Sequence, residues 1–213
     1  MKLVLASNNA KKLKELAALF GTDAIELIGQ GTLGVTEADE PHPTFVENAL
    51  AKARHAAAAT GLAAIADDSG LCVDALGGQP GVQSAVFASI DDVSDERRET
   101  REERRARQDA ANNALLLQRL AGVDARHARF VCALVALRSA DDPEPLIAFG
   151  RWNGEILRAA QGDGGFGYDP LMHLPALGAT AAALPAEVKN AHSHRALAAT
   201  HMRALMRDHW RIG

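Results

Sequence analysis

Two adjacent aspartates framed by apolar residues constrain this chain more than any other feature. Asp67-Asp68-Ser69-Gly70 stands between the runs Leu62 to Ala66 and Leu71 to Leu76. Apolar runs of that length on both sides of a turn-forming glycine predict two strands, with the acids at a strand end and Gly70 as the turn. A carboxylate pair on such a rigid edge suits a hard divalent cation, which takes oxygen ligands and usually keeps several waters. An Asx-turn, in which one Asp only caps backbone N–H groups, explains the same four residues equally well in isolation.

The 213 residues and 47% hydrophobic content suffice for one large α/β domain or two small lobes. With aromatics at 4%, the core has to be built mainly of Ala, Leu and Val. A net charge of −4 argues against a nonspecific nucleic-acid coat, which needs a basic field. Cys72 and Cys132 fall inside apolar strand-like runs, where a free thiol behaves as a small hydrophobe, and no disulfide framework or zinc spacing is present. The chain opens on a strand-like Lys2-Leu3-Val4-Leu5-Ala6, without a signal-peptide pattern, and has no apolar stretch of membrane-spanning length. The expectation is a soluble cytoplasmic protein with neither a membrane nor a nucleic-acid partner. Of 23 basic residues only six are lysine, and Lys11, Lys12, Lys14, Lys52 and Lys189 all fall in or beside polar motifs. Lysine is a compact point charge suited to phosphate, whereas arginine presents a wide planar fork, so lysine at those places hints at a geometric demand.

The first strand runs into Ser7-Asn8-Asn9-Ala10-Lys11-Lys12 and then a helical pattern with Leu13, Leu16, Ala17 and Phe20 on one face, closed by Gly21. A strand, a polar loop and a helix N-terminus make a ready anion site, because unpaired N–H groups and the helix dipole point into the loop. The alternative is that Asn8 or Asn9 merely caps the helix and the lysines form a solvated face. A second strand, Ala24 to Ile28, leads to Glu37, Asp39 and Glu40. Thr44 then starts a helix to about Ala59 with the capping-box pattern Thr44-Phe45-Val46-Glu47. Along that helix Phe45, Ala49 and Ala53 share one face, while Asn48, Lys52 and His55 form a polar stripe that reads equally as solvated or as a ligand site.

Gly77-Gly78-Gln79-Pro80-Gly81 predicts an ordered turn. Residues 95 to 108 interleave arginine with Asp and Glu, with Glu102/Arg105 and Glu103/Arg107 at ion-pair spacing. They predict an exposed helix or a mobile excursion that continues into an apolar-faced helix from Ala110 to Leu120. Ala128 to Arg138, Leu146 to Trp152 and Glu155 to Ala159 read as neighbouring strands, the last two joined by an Asn153-Gly154 hairpin turn. Gly162-Asp163-Gly164-Gly165-Phe166-Gly167 matches G-x-G-x-x-G in form only, since Tyr168-Asp169-Pro170 follows where a helix should propagate. It reads instead as a flexible clamp presenting Phe166 and Tyr168 to something planar. Pro185 suits the first turn of a helix carrying Glu187 and Lys189, and Ser193-His194-Arg195 opens a terminal amphipathic helix. Metal ligation by His192 and His194 competes there with capping and surface solvation.

Together these segments resemble one family, the Ham1-like inosine/xanthosine triphosphate pyrophosphatases. The resemblance rests on Ser-Asn-Asn-Ala-Lys-Lys with Glu15, Thr-Phe-Val-Glu-Asn-Ala with Lys52-Ala53, Ile-Ala-Asp-Asp-Ser-Gly-Leu, Pro-Gly-Val-Gln-Ser-Ala, Gly-Gly-Phe-Gly-Tyr-Asp-Pro and Ser-His-Arg, in family order over nearly the whole chain. It implies an α/β fold: a single two-lobed domain over residues 1–213, with a mixed sheet, flanking helices and a central substrate cleft, usually as a homodimer. It also implies Mg²⁺-dependent hydrolysis of the nucleoside triphosphates ITP, dITP and XTP to the monophosphate and pyrophosphate, cleansing the nucleotide pool. By position, Ser7, Asn8, Asn9, Ala10, Lys11 and Lys12 would line the phosphate loop. Glu40 and Asp68 would bind Mg²⁺ or activate water, with Asp68 as proton acceptor, and Lys52 would contact phosphate. Ser69 would meet the substrate, Phe166, Gly167, Tyr168 and Asp169 the base and ribose side, and Lys189, His194 and Arg195 the base. Glu47 is a further metal candidate whose capping role competes.

The residue chemistry agrees with that implication. Phosphoryl transfer is dominated by positioning and charge neutralisation, so lysines plus a carboxylate-held metal are the expected equipment and no protein nucleophile is required. Donors at His194 and Arg195 would accept a 6-oxo purine and mismatch a 6-amino one. Three departures stand out: Val86 where the family typically has Arg, Ala183 where Glu is usual, and a longer charged stretch at 95 to 108. None removes a residue needed for catalysis. The Maf-like nucleotide pyrophosphatases share the strand, Ser-Asn and Lys opening but not the later motifs; a non-catalytic nucleotide-binding module is the other alternative.

Overall fold

The computed structural model of the protein describes residues 1–20, 24–90 and 99–212. Gly21, expected to close the first helix, and residues 95–98 of the charged stretch lie outside them. The strands β1 (Lys2–Leu5), β2 (Glu26–Gly29), β3 (Ala63–Val73), β4 (His127–Leu137), β5 (Leu146–Ile156), β6 (Met172–Leu174) and β7 (Ala179–Thr180) form a mixed sheet in the order β2-β1-β3-β4-β5-β6-β7. β1 pairs in parallel with β2 and β3, and β6 pairs antiparallel with β5 and β7. Flanking helices are α1 (Ala10–Phe20), α2 (Phe45–Thr60), α3 (Arg101–Arg119), α4 (Ala186–His192) and α5 (His194–Leu205). The expected α/β mixed sheet with helices on its flanks is therefore present.

The chain divides into two compact units, one of Met1–Ser69, Val131–Arg151 and Asn190–Gly213, the other of Gly70–Phe130 and Trp152–Lys189. In the first, strand alternation sorts the side chains into two cores. Leu3, Leu5, Ala63 and Ile65 pack with Leu16 and Phe20 of α1 and Ala198, Ala199 and Met202 of α5. Val4, Ala6, Ala64 and Ala66 pack with Ala49, Ala53, Ala56 and Ala57 of α2. Covering both faces is why these strands read as unbroken apolar runs. On α1, Leu13 and Leu19 complete the inner face, whereas Ala17, expected there, is exposed. The Thr44 hydroxyl starts α2 as expected, accepting from the Glu47 N–H and donating to the Glu47 carboxylate.

Two expected turns are absent. β3 runs unbroken through Asp67-Asp68-Ser69-Gly70, and Gly70 is not among the glycines with left-handed φ. The apolar runs on either side of the acids are one strand because its flanks are buried almost throughout, which leaves no exposed point at which to reverse. β5 likewise passes straight through Asn153-Gly154. Gly150 and Gly154 are both buried in its alternating pattern, and they serve close approach rather than turning: a Cβ on Gly150 would lie 1.9 Å from the His194 carbonyl oxygen, and one on Gly154 2.3 Å from that of His173. We expect Gly150→Ala to destabilise the protein by about 1–3 kcal/mol or more in denaturant titration, because backbone of α5 must move to admit the methyl group. A change within experimental scatter would show that α5 has room to shift.

In the second unit Leu71, Val73, Leu116, Leu120, Phe130, Trp152, Ile156, Tyr168, Leu171 and Met172 make a separate core. α3 opens on a full capping box between Thr100 and Glu103, and Arg107 holds the Glu99 carboxylate through two hydrogen bonds of 3.0 Å. The charged stretch and the apolar-faced segment after it are thus one helix from Arg101. Buried Arg126 donates to the backbone carbonyls of Leu120, Ile156 and Leu157, fastening the end of α3 to β5. The 77–81 turn is ordered as expected, with Gly77, Gly78 and Gly81 at positive φ. Val86, at the end of a 3-10 turn over Gly81–Val86, is 61% exposed.

Candidate active site

The parallel pairing of β1 with β3 sets Leu5 against Ile65, so the loop leaving β1 runs alongside the acidic segment of β3. Within that loop Asn9 is the cap of α1: its Oδ1 accepts from the backbone N–H of Lys11 and Lys12 at 3.1 and 3.3 Å, and its own N–H bonds Ser7 Oγ. Asn8 is not the cap; its Oδ1 lies where a Cβ on Gly31 would sit, 2.8 Å away. Lys11 and Lys14 are exposed, but Lys12 turns inward and reaches Asp67 Oδ2 at 3.1 Å. Capping therefore falls to Asn9, while Lys12 is drawn to Asp67 and is not part of a solvated face.

Because successive residues of a strand face opposite sides, Asp67 and Asp68 do not form one carboxylate pair. Asp67 points to the α1/α5 side, where its side chain is fully buried. Its Oδ2 accepts from Lys12 Nζ, from Ser69 Oγ at 3.1 Å and from Arg195 Nε at 3.4 Å, and Oδ1 has no partner among the described residues. Arg195 is 4% exposed and commits its remaining arms to Glu15 Oε2 at 3.0 Å and Ser69 Oγ at 2.9 Å. Burial pushes the Asp67 carboxyl up, but the charges of Lys12, Arg195 and Lys52 outweigh it and hold the group well below the usual carboxylate range.

Asp68 points to the α2 side. Lys52 Nζ lies 3.0 Å from Asp68 Oδ1 and 2.9 Å from Glu40 Oε2, and Asn48 Nδ2 makes a long 3.5 Å contact to Asp68 Oδ2. Asn48 and Lys52, one helical turn apart, are both buried against Asp68, so two members of the polar stripe on α2 are not a solvated face. Asn48 also bonds the backbone N–H and carbonyl of His42, which fixes the segment that carries Glu40. Burial and the neighbouring Glu40 carboxylate push Asp68 up to about 6 despite Lys52, while Lys52 overcomes burial to hold Glu40 down. The Lys52 ammonium is in turn kept charged, its burial outweighed by Asp68, Asp67 and Glu40.

These values predict a pH effect. An acid whose folded-state pKa is above its unfolded value binds more protons when folded between the two, so stability falls as pH rises through that window. For Asp68 the window runs from 3.8 to about 6. In metal-chelated buffer, the thermal midpoint of the unmodified protein should drop relative to Asp68→Asn across that range; parallel curves would mean that Asp68 titrates normally.

Glu40 and Asp68 are a donor set that a hard cation fits: two carboxylates that share the Lys52 ammonium, at 2.9 and 3.0 Å. No group of three or more His, Cys, Asp or Glu suited to a metal gathers among the described residues, which leaves the His192 and His194 alternative without a third ligand. A cation at Glu40 and Asp68 would be of the kind that relies on one or two carboxylates and on substrate phosphates. Glu47 spends its carboxylate on Thr44.

In the second unit the glycine-rich loop is folded on Asp169, whose Oδ2 accepts from the Phe166 N–H at 2.9 Å and from Lys189 Nζ at 2.7 Å. A Cβ on Gly165 would fall 2.0 Å from that oxygen, so the glycine is there to admit Asp169. Lys189 Nζ lies 5.1 Å from the centre of the Phe166 ring. Tyr168 departs from expectation: it is 4% exposed, belongs to the core, and donates its hydroxyl to the Ser84 carbonyl at 2.9 Å. Its ring therefore presents no stacking face. Arg195 departs likewise, being engaged by Glu15, Asp67 and Ser69 where a base contact was expected. His194 is buried in the first turn of α5, behind the Ser193 cap.

A mixed α/β sheet whose parallel strands end beside Lys12 and a buried Lys–carboxylate pair is an arrangement suited to phosphorylated substrates. Residues 3–205 match the Ham1 family, and the chain belongs to it. It is 67% identical over 212 residues to the dITP/XTP pyrophosphatase of Leptothrix cholodnii, covering 100% of both chains, and 67% identical over 210 residues to that of Methylibium petroleiphilum, covering 99% of both. Among solved structures, the HAM1 protein from Coxiella burnetii superposes with a TM-score of 0.85 at 39% identity, over 98% of this chain and 99% of that one. No described helix is long and apolar enough to cross a membrane.

Proposed function

We propose that this protein hydrolyses the non-canonical purine nucleoside triphosphates ITP, dITP and XTP, releasing pyrophosphate and the nucleoside monophosphate, as an Mg²⁺-dependent enzyme of the cytoplasmic nucleotide pool. The observation that carries this reading is the buried Asp68 carboxylate, held by buried Lys52, which also reaches the exposed Glu40, in a chain so close to proteins bearing that activity in their names.

In the reaction a water attacks the α-phosphorus, the bond from that phosphorus to the bridging oxygen breaks, and pyrophosphate departs with the bond's electron pair. Asp68 accepts the proton of the water as general base, its carboxylate held by Lys52 at 3.0 Å. Lys52 neutralises charge that builds up on phosphate oxygens, and Lys12, anchored on Asp67, does the same from the α1 terminus. Mg²⁺, held by Glu40 and Asp68, would supply charge neutralisation and acidify a bound water. Phe166 offers the base its ring face, and Lys189 keeps that ring and Asp169 in place. Arg195 we read as the support of Asp67 and Ser69. The homodimer implied by the resemblance belongs to the same proposal and is checked by sedimentation equilibrium.

The test is pyrophosphate release from a panel of dITP, ITP, XTP, ATP, GTP and UTP, with and without chelator. Specificity constants far higher for the first three, and lost with chelator, are expected. Equal constants for ITP and ATP would overturn the substrate assignment, and binding without release would mean a non-catalytic nucleotide-binding module.

A further inference from the structure

The polar stripe of α3 has no part in the chemistry above, yet it grips the loop that carries Phe166. Asp109 Oδ2 accepts from the Gly167 N–H at 2.9 Å, and Asn113 Nδ2, one turn along the helix, donates to the Gly167 carbonyl at 3.0 Å. Between them, Asn112 Nδ2 donates to the carbonyls of Ser84 and Ala85 at 3.2 Å, and Ser84 O also accepts from the Tyr168 hydroxyl. We propose that Asp109 and Asn113 are positioning residues for nucleobase recognition, fixing the Gly167 peptide groups so that Phe166 presents its ring in one orientation. The proposal rests on the nucleotide reading of this loop.

Gly165 and Gly167 both adopt left-handed φ, at 73° and 62°. Glycine is the most conformationally free residue and has no side chain that packing can hold, so only its N–H and C=O can fix its orientation. Both groups of Gly167 are taken, by side chains from a helix whose own place is set by the buried Leu116 and Leu120. The Asp109 bond is charge-assisted, the stronger kind. The Asn113 amide is oriented by the contact itself, because the opposite orientation would set two acceptors against each other. Sequence spacing alone does not reveal the pair, since both residues look like ordinary polar positions of an exposed helix.

The test compares kcat, KM and thermal midpoint for dITP and dATP in the unmodified protein and in Asp109→Ala, Asn113→Ala, Asp109→Asn and the exposed control Glu102→Ala. The two alanine variants off the Gly167 contact should raise KM for dITP roughly five- to tenfold and narrow the dITP-to-dATP ratio, with kcat within about twofold. Asp109→Asn keeps an acceptor oxygen for the Gly167 N–H and should return KM close to the unmodified value. A purely structural role predicts a lower thermal midpoint or a lower kcat at constant KM and constant ratio, and either that pattern or unchanged constants overturns the proposal. Should Asp109→Ala fail to fold, Asn113→Ala decides by the same criteria. If the unmodified protein releases no pyrophosphate from dITP, the functional reading fails and the proposal falls with it; if it does and the variants behave as controls, the proposal alone fails.

Discussion

Replacing Asp68 by Asn should lower kcat for dITP by about 10²–10⁴-fold, the usual contribution of a positioned general base, while the protein remains folded. The fold is spared because burial and Glu40 both disfavour the Asp68 charge, and Lys52 keeps Glu40 as a charged partner. An uncharged amide of the same shape keeps an acceptor for Lys52 and removes the repulsion from Glu40, so the thermal midpoint at neutral pH should hold or rise. Activity and stability are thus expected to move in opposite directions, which is what a strained functional carboxylate predicts. Steady-state kinetics with dITP and a thermal melt check both halves. Turnover within tenfold of the unmodified protein would remove Asp68 from the role of base.

Asp67→Ala should have the largest effect on stability, a loss of about 3–5 kcal/mol, because it strips the shared anion from cations that are themselves withdrawn from water. Lys12 and Arg195 both meet on Asp67 Oδ2, and Arg195 retains a second carboxylate partner in Glu15. The sign of the pH dependence follows from the same contacts. Asp67 is held below the usual carboxylate range, so its contribution is complete above that range and is lost only as acid protonates it in the folded state. Urea titration at neutral pH measures the loss, and a change under about 1 kcal/mol would show that solvent readily replaces the carboxylate. Turnover should fall as well, since Lys12 would no longer be held toward the phosphates, but through a different route from Asp68→Asn.

These two neighbours show what local sequence can and cannot reveal. The amino acids by themselves determined the signals that act over a few residues: the Thr44 cap and the Ser193 cap, the helical face of Leu13, Leu16 and Phe20, the lysine after the first strand, and the order of motifs that placed the chain in its family. Capping and periodicity are contacts between residues three or four apart, so they are written where they act. The Asp67-Asp68 dipeptide also marked the place where the buried lysines and carboxylates gather. Only the tertiary structure decided that its two carboxylates serve opposite faces of one strand, because that depends on β3 running on through Gly70. Asn153-Gly154 has the composition of a hairpin, yet close packing against the His173 backbone uses its glycine differently. Tyr168 is drawn into the core, and Arg195 is captured by Asp67 and Glu15, partners 128 and 180 residues away in sequence. The partner a charge meets is chosen by burial and by the packing of distant segments, and no pattern within a few residues of Arg195 encodes it.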